Sequence, residues 1–152
     1  MPQLEKGGKH VFGWSRIGTD GRIRIPPEAA IEYSLESDQE ALLLNGSRTS
    51  GGFGLGRVNI LLESTLGQIF RGKMDTLLGE PFGTAIQIGR RVVCRVQLRS
   101  GEFVVPVNTL ERFGAAAEGK LLVLRGSGMA LGFSVRGPIF KLAEAHPELL
   151  VF

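Results

Sequence analysis

The sequence predicts a mainly β protein with short helices, an α+β fold, built from two copies of one unit. Three observations support this prediction. Glycine accounts for 22 of the 152 residues and punctuates short apolar segments, which favours many turns and few long helices. Several of these segments alternate apolar and polar residues, as half-buried strands do. The segments of the first half also recur in the same order in the second half.

The recurrence has a spacing of 80 residues, because Gly21 falls on Gly101 and the alignment continues to Leu55 without a gap. Both copies have the order turn, strand, proline, helix, strand, Gly-Ser turn and strand. Pairs that carry this order are Gly21 with Gly101, Ile23 with Phe103, Ile25 with Val105, Pro26 with Pro106, Tyr33 with Phe113, Gly46 with Gly126 and Phe53 with Phe133. A single match carries little weight, but the shared order indicates an internal duplication.

The first copy opens with a strand that starts near Val11, a turn at residues 19–21 and a second strand at residues 22–25. Gly21 is free to adopt the positive φ that such a turn requires. The second strand alternates, which gives it one apolar face and one basic face. The apolar face carries Ile23 and Ile25, and the basic face carries Arg22 and Arg24. We expect the two strands to form a narrow two-stranded ribbon.

A short helix and a β-hairpin complete the first copy. Pro26 ends the strand and Pro27 suits the first turn of a helix, so residues 28–35 are predicted as helical. Residues 41–46 are predicted as a buried strand, and the glycine-rich residues 52–58 as a bent return strand rather than a phosphate-binding loop.

The second copy repeats these elements, and a helical segment follows each copy. The predicted helical segments are residues 59–78 and 138–146. The resulting organisation has four parts: a first repeat at 11–57, a helical connector at 58–90, a second repeat at 91–137 and a C-terminal helix with a tail at 138–152. A single copy would leave sheet edges exposed, so the two copies are expected to pair and share one core.

Charge is distributed unevenly along the chain, although the net charge is only +3. Residues 14–25 contain three arginines and one acidic residue, residues 89–102 contain four arginines and one acidic residue, and every charged residue from 28 to 40 is acidic. Arginines on a narrow ribbon can contact phosphates or guanine edges in the major groove. The alternative is that they are solvated and paired with the acidic helix.

Catalytic, metal and cofactor sites are not predicted. His10 and His146 lie near opposite ends of the chain, and the single cysteine, Cys94, sits in an apolar alternating segment that favours a core position. No paired carboxylates or triad are visible, so an enzyme is not expected. Trp14 is expected to pack in the core, with base stacking as the alternative.

A reducing compartment is predicted, because one cysteine allows no intramolecular disulfide. No apolar segment approaches the length of a membrane span, and the N-terminal residues lack the apolar core of a signal peptide. We therefore expect a cytoplasmic protein without a membrane partner or a small-molecule substrate.

The segment "RIGTDGRIRIPPEAAIEYSLESDQEALLL", residues 16–44, resembles the AbrB/SpoVT family of swapped-hairpin domains. In that family a basic strand–turn–strand ends in proline and is followed by a short helix and an acidic residue. The resemblance extends from Val11 to about His146. It implies two AbrB-like swapped-hairpin repeats that form one pseudo-twofold β-barrel. It further implies a nucleoid-associated, sequence-specific regulator of transcription that binds double-stranded DNA as a homo-oligomer.

The residues that the resemblance assigns to DNA binding come from both copies. They are Arg16, Gly21, Arg22 and Arg24 in the first copy and Arg95 and Arg99 in the second. Tandem-repeat members of the family carry an Asp-x-x-x-Arg pattern at the turn. Arg22 matches its arginine, Gly18 stands at the aspartate position, and Glu102 stands at the arginine position of the second copy.

A protein-binding module is the alternative function. Antitoxins of the same superfamily grip a toxin with a tail that follows the barrel, and residues 143–152, "AEAHPELLVF", are a candidate for such a tail. We expect instead that this apolar end packs back on the barrel or on a neighbouring subunit.

Overall fold

The computed structural model describes residues 5–6, 9–63, 73–126 and 129–152. These residues form ten strands and five short helices, which confirms a mainly β, α+β fold. The strands are β1 (Glu5–Lys6), β2 (Lys9–Arg16), β3 (Arg22–Arg24), β4 (Gln39–Asn45), β5 (Phe53–Arg57), β6 (Ala85–Ile88), β7 (Arg91–Leu98), β8 (Glu102–Val104), β9 (Lys120–Arg125) and β10 (Leu131–Ser134). The helices are α1 (Pro27–Glu32), α2 (Val58–Glu63), α3 (Met74–Gly79), α4 (Val107–Arg112) and α5 (Pro138–Glu144). Among the helices of the described ranges, none has the length and apolarity that crossing a membrane requires.

Eight of the strands form one antiparallel sheet in the order β1-β2-β9-β10-β5-β4-β7-β6. Strands β3 and β8 form a separate two-stranded ribbon. The ladders of the described residues do not join the edge strands β1 and β6 to each other, so the sheet is open along its hydrogen-bonded order.

Four of the eight ladders among the described residues connect the first half of the chain to the second half. Strand β2 pairs with β9, β4 pairs with β7, and β5 pairs with β10. Two of the opposed pairs lie 80 positions apart in the sequence: Ile23 faces Phe103, and Phe53 faces Phe133. The hairpins β4–β5 and β9–β10 form as the sequence predicts.

The predicted ribbon at residues 11–25 is wrong in its pairing. Strands β2 and β3 follow each other along the chain, but β2 forms its ladder with β9 and β3 forms its ladder with β8. The turn between them is held by the Gly18 amide, which donates to the Arg22 carbonyl at 2.8 Å. The outward ribbon therefore takes one strand from each half of the chain.

The connector at 58–90 is only partly helical. Helices α2 and α3 lie at the two ends of the segment predicted as helix and each extends one residue beyond it, while residues 64–72 of that prediction lie outside the described residues. Residues 85–88 form strand β6, which extends the sheet beyond β7. The apolar side chains of β6 explain this difference, because Ile86 and Ile88 pack with Leu61 and Leu77 in a second apolar cluster.

The main core fills the space between the sheet and the ribbon. At its centre the ring of Phe53 stacks on Phe133 at 5.0 Å and meets Phe103 and Phe113 edge-on at 6.1 and 5.5 Å. Ile23 and Phe103, which oppose each other in the ribbon, are both buried. Because neighbouring residues of a strand point to opposite faces, this burial turns Arg22 and Arg24 outward.

The C-terminal residues pack back on β2, as expected. The Trp14 amide donates to the Leu150 carbonyl at 2.8 Å, and the Phe152 amide donates to the Trp14 carbonyl at 2.7 Å. Leu149 is buried in a third apolar cluster, whereas Leu150 and Val151 are exposed.

Candidate nucleic-acid interface

The outer face of the β3–β8 ribbon carries two exposed arginines of the first copy. The side chains of Arg22 and Arg24 are 55% and 63% exposed. Arg16 at the end of β2 is also exposed, and its side chain forms no ion pair with the described part of the chain. The three arginines border one shallow depression of about 330 Å³, which is lined by Arg16, Gly18, Thr19, Asp20, Arg22, Arg24 and Glu102.

Two carboxylates share this face with the arginines. Glu102, on β8, lies 3.5 Å from Arg22 Nη1 through its Oε1 atom and 3.4 Å from Arg24 Nε through its Oε2 atom. In the turn, Asp20 Oδ1 accepts a hydrogen bond from the Arg22 amide at 3.1 Å, and its Oδ2 atom lies 3.6 Å from Arg22 Nε. Because Arg22 and Arg24 are more than half exposed, these ion pairs contribute only about 0–1 kcal/mol, and both guanidinium groups keep N–H donors for a ligand.

Gly21 has a structural role in this turn. Its φ is +85°, and a Cβ atom at this position would lie 2.0 Å from the carbonyl oxygen of Val105. The Val105 amide donates to the Gly21 carbonyl at 3.0 Å, which ties the first turn to the strand end of the second half. The missing side chain therefore allows close packing within the protein, which is a sufficient reason for glycine here whether or not a ligand approaches.

Arg99 borders a second depression, which shares two lining residues with the first. This depression of about 330 Å³ is lined by Arg22, Phe82, Gln97, Arg99, Glu102, Phe103, Val104 and Pro106. Phe82 and Val104 are exposed apolar side chains within it. Arg22 and Glu102 line both depressions.

Arg95 lies in a different environment, and the structure does not group it with the exposed arginines. Its side chain is 14% exposed, and its Nη2 atom donates to the Glu80 carbonyl at 3.2 Å. The guanidinium also stacks on the Phe82 ring at 4.3 Å and lies 3.9 Å from Glu40. A contact between Arg95 and DNA would require it to give up these interactions, so we leave it out of the candidate interface.

The remaining candidate groups of the sequence lie in structural positions. Cys94 is buried, and burial raises the pKa of its thiol to about 12, so the thiolate that nucleophilic chemistry needs is not formed at neutral pH. Trp14 packs edge-on against Phe140 at 5.0 Å. Residues 53–57 of the glycine-rich segment form β5, as predicted. Within the described ranges, no three His, Cys, Asp or Glu side chains are grouped so that they could hold a metal ion.

The interface depends on a residue that sequence reasoning placed in the second copy and left out of the site. The 80-residue spacing aligns Glu102 with Arg22, and in the ribbon Glu102 opposes Arg24. The opposite charges of the two strands indicate this contact only once their pairing is known, and the sequence does not supply that pairing.

Comparison of the chain with protein-family models, with curated proteins and with solved structures finds no match.

Proposed function

We propose that this protein is a sequence-specific DNA-binding regulator of transcription, similar to the MraZ type of tandem-repeat regulator, that binds DNA as an oligomer. The observation that carries the proposal is the group of exposed arginines, Arg16, Arg22 and Arg24, around one depression on an outward two-stranded ribbon. A nucleoid location in the cytoplasm follows from this function.

The proposal includes a fold of two swapped-hairpin repeats in one pseudo-twofold barrel. The bounds of corresponding elements support it, since β3 and β8 and also α1 and α4 lie 80 residues apart at both of their ends. The exchange of strands between halves also supports it, because β2 pairs with β9 as β7 pairs with β4.

The ribbon suits DNA for physical reasons. The major groove is about 12 Å wide and admits a two-stranded ribbon. Arginines on its outer face can donate to phosphates or to the O6 and N7 atoms of guanine. Because one protomer supplies only a few such arginines, several protomers on one duplex are needed for tight binding, which makes oligomerisation part of the proposal.

A binding titration with matched variants tests this function. Fluorescence anisotropy on duplexes from upstream regions of division and cell-wall gene clusters compares the wild-type protein with the Arg22→Ala plus Arg24→Ala variant. We expect a large loss of affinity in the variant. The slope of log K against log [salt] should also become shallower by about two, because two phosphate contacts are removed.

The control is the Arg48→Ala plus Arg90→Ala variant, which removes the same charge from exposed positions that line neither depression. It should bind nearly as the wild type does. Equal losses in the two double variants would argue against this face, and the absence of binding by the wild type would argue against the function.

The alternative function, an antitoxin or another protein-binding module, receives less support from the geometry. Its candidate tail is tied to β2 by the backbone bonds between Trp14 and residues 150 and 152. That placement favours packing within the protomer over capture of a partner protein.

A further inference from the structure

We propose that Glu102 determines sequence specificity in this interface by accepting a hydrogen bond from the exocyclic amino group of a cytosine or an adenine. The inference rests on the proposed function and concerns the same face of the ribbon. Carboxylates are known acceptors for such amino groups in the major groove, whereas arginine side chains are donors.

The ribbon places this carboxylate among donors. Glu102 is opposite Arg24 in the antiparallel register, and Val104 is opposite Arg22. The side chain of Glu102 is 22% exposed and reaches both arginines, one with each oxygen. Both distances, 3.4 and 3.5 Å, lie at the long end of the hydrogen-bond range, so the carboxylate oxygens keep unused acceptor capacity.

The position of Glu102 exposes a bound duplex to its charge. It lines both depressions, as Arg22 does, and it lies within 3.5 Å of Arg22 and Arg24, so a molecule that contacts these arginines also meets the carboxylate. A phosphate at this position is repelled, while an amino group finds an acceptor. The carboxylate thus weakens binding to any DNA and favours DNA that presents an amino group there, which raises specificity at the expense of affinity.

A purely stabilising role does not account for this arrangement. Arg22 and Arg24 are more than half exposed, and such pairs contribute about 0–1 kcal/mol to folding. The position equivalent to Glu102 in the first half of the chain, 80 residues earlier, is Arg22. The ribbon therefore accommodates either sign of charge at this pair of equivalent positions.

The experiment selects preferred sequences from a randomised duplex pool with wild-type protein, E102A and E102Q. Wild-type protein should enrich a site with a cytosine or adenine at one defined position. E102A should bind the unselected pool several-fold more tightly and lose the preference at that position, which is worth roughly tenfold. E102Q keeps the side-chain shape and reports the effect of the charge if E102A folds poorly. The control variant is E36A, which removes an exposed carboxylate that lines neither depression. It should change neither the affinity for the unselected pool nor the base preference.

Base analogues then identify the amino group. The selected cytosine is replaced by the pyrimidinone that lacks the 4-amino group, or the selected adenine by purine. Wild-type protein should lose roughly tenfold in affinity and E102A should lose none. An E102A variant that binds more tightly with unchanged base preference overturns this inference and leaves the proposed function standing. Wild-type protein that binds no duplex overturns both.

Discussion

Strands β3 and β8 pair with each other, have the same length and occupy equivalent positions at the 80-residue spacing. Their exposed side chains nevertheless differ in charge and polarity. Each buries one apolar side chain, Ile23 or Phe103, under the ribbon. On the outside β3 presents two arginines, whereas β8 presents Glu102 and Val104. The inner face is constrained by the shared core and is similar in the two strands. The outer face is free of that constraint, and there the two strands carry different side chains.

The largest effect is expected from the buried residues of the pair. Phe103→Ala should destabilise the protein by about 3–5 kcal/mol, because it leaves a cavity beside Phe53 and Phe133. Ile23→Val should cost only about 0.5–1.5 kcal/mol. Urea unfolding followed by circular dichroism measures both free energies. A Phe103→Ala variant as stable as Ile23→Val would mean that the two strands do not share one packed core.

The two glycine turns should respond differently to alanine. Gly21 and Gly101 have φ of +85° and +74°, so a side chain is strained at both positions by about 1–2 kcal/mol. A Cβ atom at Gly21 would also collide with the Val105 carbonyl, whereas one at Gly101 would have no described residue within 4 Å apart from its neighbours in the chain. Gly21→Ala should therefore lower the free energy of unfolding by clearly more than Gly101→Ala. Equal losses in urea unfolding would contradict the close approach at Val105.

Glu102→Arg makes the outer face of β8 resemble that of β3. It replaces two exposed ion pairs with repulsion from Arg22 and Arg24, so the stability loss should be about 1 kcal/mol or less. If the proposed interface binds DNA, affinity should rise and the salt dependence of log K should steepen by about one. Thermal unfolding and anisotropy titrations at several salt concentrations measure the two effects. A rise in affinity without a steeper salt dependence would speak against a phosphate contact at this position.

The smallest effect concerns the helices that follow the two strands. On α1, Glu32 accepts a hydrogen bond from Arg125 Nε at 2.8 Å, and this bond holds the pKa of the Glu32 carboxyl below its ordinary value of 4.5. On α4, Arg112 donates instead to the uncharged Gln87. A depressed pKa contributes stability that is present above the unfolded-state value and is lost as the pH falls through the lower folded-state value.

Arg125→Met should therefore lower stability slightly at pH 7 and leave it nearly unchanged at a pH below the folded-state pKa of Glu32. Arg112→Met removes a hydrogen bond to an uncharged amide and should give a loss that does not depend on pH in this range. Urea unfolding at several pH values compares the two variants. A loss in Arg125→Met that persists undiminished at low pH would show that the effect comes from packing.

The sequence predicted the positions of the strands and helices better than it predicted which strands pair with each other. Alternation at residues 22–25 fixed which side chains are buried, and the pairs Pro26-Pro27 and Pro106-Val107 marked where strands end and helices begin. Periodicity within one strand contains no information about which other strand it will pair with, and so the β3–β8 ribbon was missed. Strand β6 was missed because four residues are too few to distinguish a strand from a neighbouring helix by pattern.

The candidate site was predictable to a similar extent. Arg22 and Arg24 are exposed as the alternation requires, but nothing in the local sequence separates Arg99, which is exposed, from Arg95, which lies against Phe82. That difference depends on a ring contributed by a loop distant in the sequence. The contact of Glu102 with both arginines likewise depends on pairing between the halves.

The pairing of β2 with β9 also affects how the chain can fold during its synthesis. Arg16 lies opposite Lys120, so the edge of β2 that pairs with β9 meets that partner only after about a hundred further residues have left the ribosome. Until then its backbone groups are an unprotected template for other chains. When two nascent chains are on one messenger, β2 of one chain can pair with β9 of the other. Such strand exchange during synthesis would give dimers that a monomer refolded from urea at low concentration does not form.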